Sequence, residues 1–172
     1  MAKAKTPSET VTTMTEIVLP NDTNTFNNLR GGKILHWMDV CSAISSSKHT
    51  ESVVVTAAVD NVSFENPIRL GDVVTINAKV TRAFKTSLEV FLEVYADNIP
   101  NGTKYKSNEA FYTFVGLDSN GQPKEAPELT PESKKEKKLY EGAQKRRELR
   151  LVLAGRMEPE NAPELRSLFT GE

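Results

Sequence analysis

The middle of the chain alternates between apolar and polar residues. In DVVTINAKVTRAF, Val74, Ile76, Ala78 and Val80 interleave with Thr75, Asn77, Lys79 and Thr81, the two-residue period of a strand with one buried face. SLEVFLEVYA repeats the pattern, with Leu88, Val90, Leu92 and Val94 set against Glu89, Phe91, Glu93 and Tyr95. KYKSNEAFYTFVGL predicts a further long strand, closed by the turn DSNG. In SVVVTAAVDNVSF the apolar phase runs through Val53, Val55, Ala57 and Val59, then slips to Val62 and Phe64, and a bulge near Asp60 and Asn61 would absorb the slip. The links NPIRLG, FKT and NIPNG are short and turn-like. The strands are therefore expected to run as an antiparallel meander with one apolar face that must be covered. TEIVLP, stopped by Pro20, predicts a short first strand.

Between that strand and the meander the period changes to 3.6. LRGGKILHWMDVCSAISSSKH predicts a helix over residues 32–49, started through a glycine pair. At 100° per residue, Ile34, Trp37, Met38, Val40, Cys41 and Ile44 share one side, which should press into the sheet; His36, Asp39, Ser42, Ala43 and Ser46 share the other. One helix lying in the concave side of a curved antiparallel sheet, an α+β arrangement, satisfies both patterns. After Pro123, TPESKKEKKLYEGAQKRRELRLVLAG predicts a charged, solvated appendage helix with Thr130 as N-cap, Pro131 at the first helical position and Gly155 as a left-handed stop. The division that follows is a flexible lead-in over residues 1–14, a sheet-and-helix domain over 15–127 and a helical extension over 128–172.

Composition narrows the classes of function. The formal net charge of −1 supplies no global basic field, so nucleic acid is not an expected partner. Cys41 is the only cysteine, which excludes an internal disulfide, and with only His36 and His49 beside it a Cys/His metal site is not expected. The opening MAKAKTPSETVTTMTE lacks the apolar core of a signal peptide, and no stretch reaches the roughly 20 apolar residues of a membrane helix. A cytoplasmic protein without membrane insertion is expected.

The helix carries the candidate chemistry. Its outer side shows small residues, a histidine and one acid where a water-facing side usually shows Lys, Glu and Arg, so it is expected to meet another subunit and leave Asp39 in a partly dry cleft. Two readings of Asp39 stand: it solubilises an amphipathic helix, or it is a buried carboxylate that needs partners or a task. Gly31 and Gly32 allow close backbone approach and unusual dihedrals, and the first helical amides lack internal acceptors, a socket for a developing oxyanion; the other reading is a tight turn. There is no G-x-S-x-G elbow, P-loop, G-x-G-x-x-G or H-E-x-x-H, and Cys41 falls on the apolar side. Hydrolysis by this chain would rest on a carboxylate and a water.

PNDTNTFNNLRGGKILHWMDVCSAI resembles the helix-start motif of the hotdog-fold acyl-CoA thioesterases, the group of the cytosolic and brain-type acyl-CoA hydrolases. The likeness continues through VVVTAAVDNVSFENPIRLGDVV, TSLEVFLEVYA and GTKYKSNEAFYTFVGLDSNGQP, over roughly residues 16 to 127. The resemblance implies a hotdog fold, a curved antiparallel sheet wrapped round one helix. It also implies homo-oligomers, dimers at least and often trimers of dimers, with the active site between two subunits. It places the family's helix acid on Asp39, as general base or nucleophile, and its loop asparagine on Asn24, reaching the site from the facing subunit. Gly31, Gly32 or the amide after them would supply the oxyanion contact, Asn28 would shape the loop, and Thr56 matches a strand threonine near the site. Arg30 stands where an aromatic or histidine is expected; it would bind a CoA phosphate or lie in solvent. His36 is likewise unexpected, as a tuner of the acid or an interface histidine. Arg82, Lys85, Lys104 and Lys106 are candidates for the CoA phosphates, each also readable as ordinary surface charge. The expected reaction is hydrolysis of acyl-CoA to a fatty acid and CoA, with no cofactor. The alternatives are a non-catalytic acyl-CoA-binding regulator and a hydroxyacyl-thioester dehydratase, and the second is poorly served by His36 and Asp39 on one helix turn.

Overall fold

The computed structural model of the chain describes residues 3–60 and 62–170. In chain order it contains β1 (Thr12–Ile17), α1 (Gly31–Thr50), β2 (Val53–Asp60), β3 (Val73–Ala83), β4 (Ser87–Asn98), β5 (Thr103–Leu117), α2 (Lys134–Leu153) and α3 (Pro163–Thr170). The strands form one antiparallel sheet in the order β1-β3-β4-β5-β2. The meander is confined to β3, β4 and β5. β2 is not beside β3 but pairs with the far edge of β5, because α1 ends against that edge and hands the chain directly to it. Gly116 of β5 makes the approach possible: a Cβ there would come within 3.1 Å of the Thr50 side chain.

The sheet curls round α1, as the alternation predicts. Ile34, Trp37, Met38 and Cys41 pack on the alternate residues of three strands, among them Val74, Ile76, Leu88, Leu92, Tyr112 and Phe114, all buried. Burial pushes the Cys41 thiol up to about 11, which makes it an inert core residue. The inward arc of the helix is broader than its apolar residues suggest. Ser42, Ser45 and Ser46 are buried, whereas Ile44 is 42% exposed. The cause is a polar cover: Ser45 Oγ donates to the Thr10 carbonyl at 2.9 Å, and His49 Nε2 lies 2.7 Å from the Pro127 carbonyl. Residues 5–10, expected as a flexible lead-in, are part of this cover. Lys5 bridges to Leu129, Lys5 Nζ meets Glu51 at 2.6 Å, and buried Thr10 accepts from the Val80 amide.

The expectation of a sheet covered on one face fails. α2 lies on the outer face and buries Glu89, which is 1% exposed. Arg146 of α2 grips Glu89 with two bonds, Nε to Oε2 at 2.9 Å and Nη2 to Oε1 at 2.8 Å, and stacks 3.8 Å from the Phe111 ring centre. Thr81 donates to the same carboxylate at 2.7 Å. α2 starts at Lys134 rather than at Pro131, because the Thr130 amide is held by the Lys5 carbonyl; Ser133 and Glu136 then cap it reciprocally. Gly155 takes the left-handed conformation expected of it, with φ +65°. α3 was not predicted; buried Glu148 of α2 accepts from its Leu165 amide at 2.8 Å. The register slip in β2 falls between Thr56 and Ala58, earlier than expected, and Asn61 lies outside the described residues. Among the described residues no helix is long and apolar enough to cross a membrane.

Candidate active site

The segment from Val18 to the start of α1 is organised by Asp22, a residue that sequence reading left without a role. Its Oδ2 accepts from the Leu19 amide at 3.2 Å, its Oδ1 pairs with Lys33 at 3.1 Å, and its carbonyl accepts from the Arg30 amide at 2.9 Å. Burial opposes its charge, but the Leu19 amide and Lys33 outweigh that and hold the carboxyl below its ordinary range. One side chain thus ties the end of the first strand to the first turn of the helix.

Residues 24–28 form a tight exposed loop. Asn24 Oδ1 accepts from the amides of Phe26 and Asn28 at 2.9 and 3.2 Å, and the Asn24 amide donates to the Asn28 carbonyl at 2.8 Å. Asn27 adopts φ 57°, a conformation asparagine tolerates. Phe26 at the tip is 81% exposed. Asn28 shapes the loop as expected and bridges to Arg69. Both glycines belong to α1, and neither takes a positive φ, so the expectation of unusual dihedrals fails. Space is what they supply: a Cβ on Gly32 would meet nothing within 4 Å. Lys33 and Ile34 donate to the Arg30 carbonyl, which leaves the amides of Gly31 and Gly32 without an acceptor inside the helix.

Two turns further on, half-buried Asp39 faces β2. Thr56 Oγ1 donates to Asp39 Oδ1 at 2.6 Å, so the threonine and the acid do meet. Behind them burial pushes the Tyr112 phenol up to about 12, with the Asp39 charge adding to the rise, and its hydroxyl lies 3.5 Å from the Leu35 carbonyl. His36 is exposed. The edge of β2 is apolar and open, with Val53 70% exposed and Val55 and Val59 also exposed. That is the reverse of the expectation that these valines turn into the core.

The candidate cations separate. Arg30 is exposed beside the glycine amides, with its Nη2 on the Asn21 carbonyl at 2.7 Å. Arg82 does not reach toward Asp39: it donates to the Tyr140 carbonyl at 3.1 Å and stacks on the Phe84 and Tyr140 rings, which fixes α2 to the sheet. Lys85 shares a cavity of about 560 Å³ with Arg82 and Arg147, in which Glu125 and Glu128 offset the charge. Lys104 lies over Tyr95, and Lys106 is paired with Glu93 and Glu109. Ala83 pairs with Leu88 while Lys104 pairs with Asp97, so within one chain the two groups stand about 30 Å apart along β4.

A curled antiparallel sheet round one central helix is the fold of the hotdog thioesterases. A family model of the thioesterase superfamily matches residues 26–102. A Bacillus subtilis protein named as an acyl-CoA thioester hydrolase, YkhA, is 38% identical over 77% of this chain and 77% of its own. The cytosolic acyl coenzyme A thioester hydrolase of Mus musculus is 33% identical over 79% of this chain, which spans 36% of that longer protein. Among solved structures, an apo hexameric acyl-CoA thioesterase matches at 36% identity with a TM-score of 0.85, over 89% of this chain and 98% of that one. An acyl-CoA hydrolase of Staphylococcus aureus, solved with butyryl coenzyme A and coenzyme A, matches at 34% identity and a TM-score of 0.81 over 88% of this chain and 94% of that one. The Staphylococcus aureus protein has also been solved with an asparagine, an aspartate or a threonine replaced by alanine. The chain belongs to the thioesterase superfamily, in the group of the acyl-CoA thioester hydrolases.

Proposed function

We propose that this protein hydrolyses acyl-CoA thioesters to the carboxylic acid and free CoA, with Asp39 as general base. The hydrogen bond from Thr56 to Asp39 carries the reading, because it fixes one carboxylate oxygen and leaves the other to take a proton from water. As that water attacks the thioester carbon, the carbonyl oxygen gains charge, and the amides of Gly31 and Gly32 are the donors that would receive it. When the carbon–sulfur bond breaks, the proton held by Asp39 returns to the leaving thiolate. The reaction needs no cofactor. Arg30 is the cation placed to meet the CoA moiety.

The replaced asparagine, aspartate and threonine of the Staphylococcus aureus protein are separated by 15 and 17 residues, as are Asn24, Asp39 and Thr56 here. This spacing supports those three as the site residues. The apolar open edge of β2 favours pairing with the same edge of a second copy, and the hexameric relatives support a trimer of such dimers. In that assembly Asn24 serves the site of the facing subunit. The relatives named as cytosolic acyl coenzyme A thioester hydrolases support a cytosolic enzyme acting on dissolved CoA esters.

A thiol-reactive dye with a panel of acyl-CoAs tests the reading. Steady thiol release is expected, together with no change in enoyl absorbance, which a dehydratase would alter. Thr56→Val keeps the shape of the side chain but not the donor; it should lower kcat about tenfold with KM little changed. Val55→Lys should convert the oligomer to smaller species in size-exclusion chromatography with light scattering, whereas an unchanged mass would remove β2 from the interface.

A further inference from the structure

We propose that Phe64 is a positioning residue of the hydrolytic site. Its ring closes one side of the start of α1 against water, so that the free amides of Gly31 and Gly32 keep their strength for the thioester oxygen. The proposal rests on the hydrolase reading above and adds a residue that acts through the amides rather than on the substrate.

The ring stands on the first glycine. A Cβ on Gly31 would lie 3.6 Å from Cε2 of Phe64 and 3.7 Å from its Cζ. Cβ bonds lean toward the N-terminus of a helix, the end at which the first amides point. A ring in contact with that position therefore flanks the free amides. A methyl at residue 31 would just touch the ring, whereas a longer side chain would take its place, so the glycine is what admits the ring. At Gly32 a Cβ would meet nothing within 4 Å, and that side stays open for a ligand. One flank of the amides is thus covered by an apolar group and the other is free.

The contact is held by the chain, because Phe64 is 51% exposed and is not core. Val62 before it packs against the core. After it, buried Ser107 donates through Oγ to the Asn66 carbonyl at 3.3 Å, and the Tyr105 hydroxyl donates to the Pro67 carbonyl at 2.7 Å. The same segment braces the loop of Asn24. The Leu29 amide donates to the Ile68 carbonyl at 2.7 Å, and the Leu70 amide donates to the Asn27 carbonyl at 2.9 Å. Residues 62–70 thus set the ring on Gly31 and hold the loop that carries Asn24.

An amide that is hydrated exchanges one acceptor for another when an oxyanion forms, while an amide shielded from water gains the whole bond. Loss of the ring should therefore be felt where charge develops and should spare the binding of CoA. Phe64→Ala is expected to lower kcat for butyryl-CoA about tenfold with KM within about threefold of wild type. Phe64→Leu, which restores an apolar cover, should return kcat to within about threefold. The half-exposed ring can be removed without opening the core, so both variants should fold. A second measurement reads the amides themselves. Butyryl-CoA labelled with carbon-13 at the thioester carbonyl, bound to the slow Asp39→Asn variant, should show an infrared carbonyl band at lower wavenumber than in water. In Asp39→Asn/Phe64→Ala and its Leu counterpart, the band should move back toward the solution value with alanine and stay low with leucine. A kcat within twofold of wild type for Phe64→Ala, or a carbonyl band unmoved by loss of the ring, would overturn the assignment. Absence of thiol release from every acyl-CoA by the wild type would instead overturn the hydrolase reading beneath it, whereas the infrared comparison tests the ring by itself.

Discussion

Asp39→Asn is expected to lower thiol release from acyl-CoA by about a hundredfold or more while leaving the protein folded, the scale on which a positioned general base acts. Asparagine keeps an oxygen that accepts from Thr56, so the 2.6 Å bond has a substitute and the contact of α1 with β2 survives. What is lost is the capacity to hold a proton. The loss should appear in kcat more than in KM, because the carboxylate acts on water rather than on CoA. Acyl-CoA binding by the variant, followed by calorimetry, should stay within a few-fold of wild type. A variant that retains a tenth or more of the wild-type rate would show that the carboxylate solubilises the helix and does nothing further.

Arg146→Ala is expected to be the most damaging substitution outside the site. Glu89 is almost fully buried between the sheet and α2, and Arg146 supplies two of its bonds. Removing the guanidinium leaves a buried carboxylate with Thr81 as its remaining donor, a loss of about 3–5 kcal/mol. For a chain of this size that corresponds to a fall in Tm of about 10 °C or more. The paired change Glu89→Gln with Arg146→Met removes the charge together with its partner and should recover much of the loss. Equal destabilisation by the single and paired changes would mean that stacking on Phe111, not the ion pair, anchors the helix.

The helix and the meander were legible because they depend on local period: residues 32–49 and the strands of the middle third deviate from their expected limits by only a residue or two. The partner of β2 was not legible. Its valines read as a core face, yet they line an open edge, and a strand's pattern does not distinguish a face turned to the core from one turned to a second copy. The outer cover was missed for a related reason. Glu89 and Arg146 are the residues that announce solvent in a sequence, and only their mutual pairing makes burial tolerable. The serines of α1 misled in the same sense, since Ser45 is buried through a bond to a carbonyl 35 residues away.

At the site, the sequence brought Asp39 and the glycine pair to notice through an unusual helix face and two free amides, and the family resemblance added Asn24 and Thr56. Asp22 was missed because its work is done on backbone groups, which a sequence does not display, although an acid two residues before the loop asparagine and eleven before Lys33 was there to be read. The phosphate-binding cations were the least legible. Their identity depends on where strand ends lie in space, and the strand pairing sends Lys104 and the pair Arg82 and Lys85 to opposite ends of β4.

The most direct test of a hydrolytic site completed between two subunits is to mix inactive chains. Asn24→Ala and Asp39→Asn proteins, each near background in thiol release, would be unfolded, combined in equal amounts and refolded together. Half of the dimers formed at random are mixed, and each mixed dimer has one of its two sites intact, so activity should return to about a quarter of a wild-type sample treated identically. Activity that stays at the level of the two parents, while the refolded wild type releases thiol, would place Asn24 and Asp39 in one subunit's site and contradict the account.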